Sequence, residues 1–468
     1  MLRDTRPVTQ HELTTAAFQW ARERGLEHEY ERRYSQLISL LRILPLENAR
    51  PILRQTYHES LGRPAWDPVL LTRLEVGRRV LRIDSRDAFV EHLHTDPFLR
   101  LLLGLRVDGP VPDAQTLRRF EHRVVPSTKR GVNMPRRRSR RHPGISERAV
   151  DFLMRSATPA RLPSRVDDLL RAVGFLPAQE LGLFAPDAPV IADGTFVYSR
   201  TNRHGHKICE HGRAACTCER RYTDPRANIG HDHHEDRTVY GYLANIAALD
   251  SVLGDPLPLS ITMHGAARHD GVATLLTLRR VHDLYPEIRG RLDILDSASD
   301  SDAHGRYIRS LGNLPIIPLR QPKKGSCHYA ADTLFSEQGI PICAGGYPMR
   351  PYGRVGERQR WICPGEMAGS GIEPHEPCHQ PGGHTRSFSP KDSYRLISGL
   401  HRGSRRFRKA YARRAAIERA VNKPMVSDSG LEHRSRVQSR GRHHFDLFIE
   451  ALLCYARAFI RFATDRSA

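Results

Sequence analysis

Three acidic residues have the types and positions that a divalent metal site requires. Asp193 lies in an apolar segment with the pattern of a strand, Asp296 closes a second such segment, and Glu418 lies in a helical pattern near the end of the sequence. A carboxylate in an apolar strand is costly to bury unless charge compensates it, and a divalent cation does so directly. Each acid alone is typical of a surface or ion-paired residue. The prediction of a metal-binding triad therefore depends on their joint placement.

The segment around Glu418 carries the most specific motif in the sequence. Tyr411, Arg414 and Glu418 fit the pattern Y-x2-R-x3-E, and at about 3.6 residues per turn they fall on one face of a helix. If this helical face points into a cleft, Arg414 would contact phosphate beside a metal-binding Glu418, and Tyr411 would stack on the substrate or hydrogen-bond to it. An ordinary solvated charged helix is the alternative interpretation.

Hydrophobic patterning predicts the elements that must position the triad. In residues 185–320, three successive strands are followed by helix, strand, helix and strand, which is typical of an α/β region with a mixed sheet. Residues 321–400 lose periodicity and are rich in Gly, Pro, Cys and His, as expected of an insertion before the last catalytic helix. Residues 401–468 return to two helical stretches, which would complete the core.

Residues 1–125 have the pattern of an all-α domain. Thr9 and Glu12 have the spacing of a capping box ahead of an amphipathic segment. Asp67 precedes a proline at the first position of a second helix, and Asp113 can cap a third. These signals predict helices that start at defined residues.

A basic helical face and a basic linker are candidate DNA contacts. After Asp113, apolar residues share one helical face while Arg118, Arg119 and Arg123 lie off it, so this helix can pack on a core and face phosphates. The linker at 126–150 contains the run RRRSRR, which could hold a DNA backbone electrostatically. A solvated charged face and a plain tether are the alternatives.

The composition favours a polyanionic partner. The chain has 468 residues with 73 Lys+Arg against 52 Asp+Glu, a formal net charge of +21, which points to nucleic acid. Hydrophobic residues make up 39%, so a mostly folded chain is expected. Residues 1–12 lack an apolar stretch and charged residues break the apolar segment 445–462, so we expect no membrane span or secretion signal. Eight Cys in this length are no disulfide framework, so we expect a cytoplasmic location.

Two groups of cysteine and histidine are candidate structural zinc sites. The members of the first group are Cys209, Cys216, Cys218, His204, His206 and His211. The members of the second are Cys327, Cys343, Cys363 and Cys378, with His375 and His379. Neither has a C-x2-C spacing, which weakens the zinc interpretation. The second group is favoured, because a Gly/Pro-rich segment has little apolar material for its own core.

The sequence resembles the DDE transposases of bacterial insertion sequences, in the group with the Y-x2-R-x3-E signature. That family's helical N-terminal domain is similar to SRDAFVEHLHTDPFLRLLLGLRVDGPVPDAQTLRRFEHRV (85–124), its first catalytic strand to ADGTFV, the region of its second Asp to LDSASDSDA, and its Glu helix to YARRAAIERAV. The resemblance covers most of the chain. It implies an all-α N-terminal DNA-binding domain and a ribonuclease H-like, mixed-sheet catalytic core.

The resemblance implies that Asp193, Asp296 and Glu418 are the catalytic, metal-binding carboxylates, with Tyr411 and Arg414 contacting DNA. The implied cofactor is Mg2+, for which Mn2+ can substitute, with two ions about 4 Å apart. Water would cleave the DNA, and the freed 3′-OH would then attack target DNA in a direct transesterification. The implied partners are double-stranded DNA, as terminal inverted repeats and target, and a second copy of the chain.

Two positions depart from the family pattern. The family usually has a Lys seven residues after the Glu, where Met425 stands, and Lys423 lies on another helical face. The family's D-x-x-Y-D is replaced by DSASD, so the second carboxylate is Asp296 or Asp300. Asp296 is favoured, because the end of a parallel strand is where an α/β sheet presents ligands.

Two other functions are compatible with these residues. One is a ribonuclease H-like metal nuclease that cuts DNA without strand transfer. The other is a catalytically inactive relative that only binds DNA, which the presence of all three acids disfavours. Inverted repeats flanking the coding sequence, with short direct repeats outside them, are expected only of a mobile element.

Overall fold

The computed structural model describes most of the chain. The described residues are 8–58, 64–126, 133–134, 144–155, 165–211, 216, 218–232, 236–321, 327–330, 332–367, 371, 384–427 and 439–467. The described helices are α1 (Gln10–Arg22), α2 (Glu27–Ile43), α3 (Arg50–Arg54), α4 (Pro68–Val80), α5 (Arg86–Thr95), α6 (Pro97–Leu103), α7 (Ala114–Val124), α8 (Ile145–Arg155), α9 (Val166–Leu170), α10 (Leu176–Glu180), α11 (Asp270–Leu284), α12 (Asp302–Ser310), α13 (Arg405–Ala412), α14 (Arg414–Ile417) and α15 (Arg440–Ser467). The described strands are β1 (Asn133–Met134), β2 (Val190–Tyr198), β3 (His206–Lys207), β4 (Arg220–Arg221), β5 (Asn228–Asp232), β6 (Arg237–Leu249), β7 (Leu257–Gly265), β8 (Leu292–Ile294), β9 (Leu314–Ile316), β10 (His328–Ala330), β11 (Thr333–Phe335), β12 (Arg350–Val355), β13 (Arg358–Ile362) and β14 (Thr385–Phe388).

The predicted caps of the N-terminal helices are confirmed. Thr9 accepts a hydrogen bond from the backbone N–H of Glu12, and the Glu12 carboxylate accepts from the backbone of Thr9, which completes the capping box of α1. Asp67 accepts from the N–H of Val69 and starts α4. Asp113 accepts a hydrogen bond from the backbone N–H of Thr116, the third residue of α7, and that bond fixes where the helix begins.

Helix α7 has the predicted amphipathic form. Its apolar face is buried, while Arg118 and Arg119 are exposed. Arg118 pairs with the exposed Asp87 at 2.7 Å, and the guanidinium of Arg123 lies 4.3 Å from the ring centre of Tyr57. Two of these three cations thus have a partner in the protein, and α7 still presents a basic surface to solvent.

A mixed sheet forms the centre of the α/β region, as the alternation of segments predicted. Its strands follow the order β5-β6-β2-β8-β9, and β7 also pairs with β6. Strand β2 is antiparallel to β6 and parallel to β8, and β8 is parallel to β9. Helices α9, α11 and α15 pack against this sheet, so β6 and β7 are buried along most of their length.

The largest hydrophobic core joins the N-terminal helices to the sheet through α15. This helix contacts α2, α4 and α7 as well as β7. Phe120 of α7 packs edge-on against Phe445 of α15, with ring centres 5.9 Å apart. Among the described helices, none combines the length and apolarity that a membrane crossing requires.

The segment at 321–400 contains more structure than its sequence indicates. Strands β10 and β11 form one hairpin, and β12, β13 and β14 form a three-stranded antiparallel sheet. Trp361 and Phe388 are buried in a hydrophobic cluster that also contains Cys343 and Cys363. The little apolar material in this segment therefore does form a core, because its few large apolar residues converge.

Candidate functional site

Asp193 lies within β2, and Asp296 lies beside it just past the end of the parallel strand β8. The register of β2 and β8 places Ile191 opposite Ile294. Asp193 and Asp296 each follow that pair by two residues, so they stand at the same level, on adjacent strands separated by about 4.8 Å. Asp296 lies just beyond β8, where its carboxylate accepts a hydrogen bond from the N–H of Ala298 at 3.1 Å.

Arg414 connects Asp193 to Glu418. Its Nη2 donates to both carboxylate oxygens of Asp193 at 3.2 and 3.3 Å, and its Nη1 donates to Oε1 of Glu418 at 3.2 Å. Helix α14 packs against β2, which brings Arg414 to the sheet. The guanidinium thus lies between two of the three carboxylates proposed to hold metal, and in this structure it is their cationic partner.

The pKa of Asp193 is raised in this cluster. Burial raises the pKa of Asp193 to about 6; Arg414 lowers it, while Asp296 and Glu418 add to the rise. Only 8% of Asp193 is exposed, and Glu418 is more than half exposed. A divalent cation would favour the ionised forms of these carboxylates, which are oxygen ligands of the type that a hard metal ion prefers. With Arg414 between Asp193 and Glu418, the described carboxylates do not have the spacing of an assembled metal site.

A fourth carboxylate, Asp270, belongs to the same cluster and was not predicted from the sequence. Asp270 is the first residue of α11, and burial raises its pKa to about 7, with Asp296 and Asp193 adding to the rise. Asn245 of β6 donates to its Oδ1 at 3.3 Å. A Cβ on Gly194, next to Asp193, would lie 2.3 Å from the same oxygen, so a side chain at position 194 would displace Asp270.

The sequence did not single out Asp270, because an acidic residue in the first turn of a helix is common for structural reasons alone. It stabilises the positive end of the helix dipole and needs no functional role. The glycine in ADGTFV was the only local signal, since a glycine inside a strand marks close approach of another group. That signal does not identify which residue approaches.

Removing the charge of Asp270 is expected to stabilise the protein in EDTA above neutral pH. The folded-state pKa near 7 lies above the unfolded value, so the ionised carboxylate costs stability that is absent at low pH and complete above about pH 7. We expect Asp270→Asn to raise the free energy of unfolding by about 2–4 kcal/mol at about pH 8. The gain should vanish near pH 4, as measured by urea unfolding.

The exposed Asp108 provides the control for this prediction. Asp108→Asn makes the same chemical change outside the cluster and should alter stability by less than about 0.5 kcal/mol. An equal gain for Asp270→Asn at both pH values would contradict the electrostatic explanation, because amide packing alone has no such pH dependence.

Asp300, the alternative second carboxylate, has a different environment. Its Oδ2 accepts from Arg395 Nε at 2.7 Å and from the N–H of Arg320 at 2.8 Å, and Arg402 lies 3.8 Å from its Oδ1. Only 1% of its side chain is exposed. The structure therefore ties Asp300 to the segment after β9 and to the residues that follow β14, whereas Asp296 faces Asp193.

The signature helix is interrupted rather than continuous. Helix α13 ends at Ala412, α14 follows, and Glu418–Ser427 has the wider π-helical winding. Tyr411 is half-buried and stacks on Phe407 with ring centres 6.2 Å apart. Arg414 still reaches Asp193 of β2, and Glu418 accepts a hydrogen bond from Arg414. Met425, at the family's Lys position, is fully buried in the main core.

The two candidate zinc groups differ in how far the structure assembles them. Among the described residues, one set of His, Cys, Asp and Glu side chains has the spacing to hold a metal ion, and its members are Cys209, His211, Cys216 and Cys218. His204 and His206 of the first group are exposed. In the second group Cys343 and Cys363 are buried in the apolar cluster and Cys327 is exposed. Cys378, His375 and His379 lie outside the described residues.

One comparison with known proteins gave a match. Residues 27–123 match the family model described as Transposase domain (DUF772). The matched range runs from the start of α2 through almost all of α7. No curated protein matches the sequence. The match supports a transposase family; the carboxylates and the Y-x2-R-x3-E motif lie outside the matched residues.

Proposed function

We propose that this chain is the transposase of a bacterial insertion sequence, which binds the terminal inverted repeats of its element and catalyses metal-dependent cleavage and strand transfer of DNA. The observation that carries the proposal is the cluster in which Asp193, Asp296 and Glu418 converge beside Arg414. The transposase-domain match at 27–123 supports it independently. In this proposal the mixed sheet is a ribonuclease H-like catalytic core.

Asp193, Asp296 and Glu418 would hold Mg2+, or Mn2+ in its place. When bound, the metal ions supply activation of the attacking oxygen and stabilisation of the leaving 3′ oxygen. The chain's own contribution is a partly buried set of oxygen donors whose mutual repulsion favours a cation. Asp270 adds a further negative charge to the same cluster.

Arg414 and Tyr411 are the proposed DNA contacts at this centre. A metal ion would replace the guanidinium as counter-charge of Asp193, which would leave Arg414 able to pair with a DNA phosphate. Tyr411 lies one helical turn away and is partly accessible for stacking or hydrogen bonding. Their roles belong to orientation of the DNA, not to metal binding.

The basic surface of α7 is the proposed second DNA contact. Arg118 and Arg119 are exposed, and Arg123 is partly exposed. The basic linker, whose RRRSRR run lies outside the described residues, adds charge in the sequence that follows. Two DNA ends must be joined together, so we propose that the active form is a homodimer on DNA.

Glu418→Gln tests the function directly. In a donor plasmid carrying the gene's native flanking DNA, with Mg2+, we expect the unaltered protein to excise or integrate the flanked segment and the variant to do neither. Glu418 is more than half exposed, and the amide keeps the size of the side chain while removing a charged ligand, so folding and DNA binding should remain.

The assay also separates the proposal from its alternatives. Double-strand cutting at the flanks without any joined product would assign a nuclease that lacks strand transfer. Binding of the flanking DNA with both proteins inactive would assign a DNA-binding relative. Equal activity of the two proteins would remove Glu418 from the metal site.

A further inference from the structure

Three cysteines and one histidine form a compact cluster between β3 and β4. Cys209 and His211 follow β3, and Cys216 and Cys218 precede β4. One ligand atom from each residue lies within 4.8 Å of all the others. The Sγ atoms of Cys209 and Cys216 are 3.5 Å apart, and Cys218 Sγ lies 3.2 Å from Nδ1 of His211.

These separations are close to those of a tetrahedral zinc centre. With Zn–S of about 2.3 Å and Zn–N of about 2.0–2.1 Å, neighbouring ligands in a tetrahedron lie about 3.8 Å apart for two sulfurs and about 3.6 Å apart for sulfur and nitrogen. The observed contacts are within a few tenths of an ångström of these values. Three thiolates and one imidazole are also a ligand set that zinc prefers.

The secondary structure around the cluster needs a stabilising element. Strands β3 and β4 have two residues each, and β1 adds two more in the order β1-β4-β3. His206, Lys207 and Ile208 are exposed, and so small a sheet buries little apolar surface. A metal that joins both ends of the loop supplies the folding free energy that apolar burial does not.

We propose that Cys209, His211, Cys216 and Cys218 bind one structural Zn2+, which fixes the β3–β4 sheet. Four protein ligands fill the tetrahedron and leave no position for substrate, which makes the centre structural. The site stands apart from the carboxylates in its chemistry, because soft thiolates select zinc while carboxylate oxygens select Mg2+ or Mn2+. The proposal is independent of the proposed function.

The first test is the metal content of the full-length protein purified without chelator. We expect about one zinc per chain by mass spectrometry of the metals. Cys216→Ser and Cys218→Ser should each lose most of it. Cys327→Ser changes an exposed cysteine outside the cluster and should retain it. Unsubstituted protein that binds no zinc, or equal loss in Cys327→Ser, would overturn the proposal.

The second test keeps the proposal falsifiable if the serine variants fold poorly. Cobalt replacing zinc should give the intense visible absorption of tetrahedral thiolate ligation, and His211→Cys should retain the metal with a stronger sulfur-to-cobalt band. A weak spectrum typical of six oxygen and nitrogen ligands would contradict the assignment. So would a His211→Cys spectrum identical to that of the unaltered protein.

Discussion

Asp296→Asn is expected to lower the rate of DNA cleavage by at least about a thousandfold, since metal-ion stabilisation supplies several kcal/mol. Asp296, just past the end of the neighbouring strand β8, stands at the level of Asp193 and contributes to the raised pKa values of both Asp193 and Asp270. Folding should be preserved. An Asn side chain still accepts the hydrogen bond from the N–H of Ala298, because Asn and Asp cap helical turns equally well.

Asp300→Asn is the matched comparison, since it makes the same change four residues later. Asp300 is buried against Arg395 and Arg402, so its loss should cost about 3 kcal/mol of stability or more, by leaving cations without their partner. Cleavage per folded molecule should change only a fewfold. The measurement is single-turnover cleavage normalised to the folded fraction. The reverse outcome, with Asp300→Asn inactive and Asp296→Asn active, would assign the second carboxylate to Asp300.

The elements of this fold were largely predictable from local signals. Thr9 with Glu12, Asp67 and Asp113 each predicted a helix start that the structure contains, because capping depends on neighbouring residues alone. The strand of Asp193 was predictable for the same reason, since apolar residues flank Asp193 on both sides along the chain. Period and capping are local properties, and the sequence displays them directly.

The arrangement at the centre was less predictable because it depends on long-range register. The sequence gives no sign that Arg414 pairs with Asp193 or that α11 directs Asp270 into the cluster. Both contacts arise where separate elements meet on the sheet. The cysteines illustrate the same limit: the Gly/Pro-rich composition of its segment favoured the second group, whereas the structure assembles four residues of the first. Two of the second group's cysteines join an apolar core instead.

A buried network of charges links the N-terminal helices to α15. Glu75 of α4 is fully buried and accepts hydrogen bonds from Arg78 and Arg86. Arg78 also forms an ion pair with Asp446 of α15 at 3.2 Å. Asp446 in turn pairs with Arg442 at 3.1 Å. The N-terminal helices are therefore joined to the last helix by ion pairs as well as by apolar contact. Removing one ion leaves its partners buried without compensation.

Glu75→Gln is expected to lower the free energy of unfolding by about 3–5 kcal/mol at neutral pH. Burial alone would raise the pKa of Glu75, but Arg78 and Arg86 outweigh it and lower the pKa to about 2. The Gln amide oxygen can still accept a hydrogen bond from Arg78 or Arg86, but the neutral amide balances the charge of neither guanidinium. Urea unfolding followed by circular dichroism measures the loss. Glu91→Gln on α5, where the side chain is exposed, should change stability by less than about 0.5 kcal/mol.

Acid should reduce the difference between the Glu75→Gln variant and the unaltered protein. The folded-state pKa of Glu75 lies below its ordinary value of 4.5, so its stabilisation is complete above about pH 5 and is lost as the pH falls toward 2. Once Glu75 is protonated, both proteins carry a neutral side chain there and the two unfolding free energies converge. A difference that stays constant down to about pH 3 would contradict the electrostatic account. It would assign the effect to packing of the amide within the helical core.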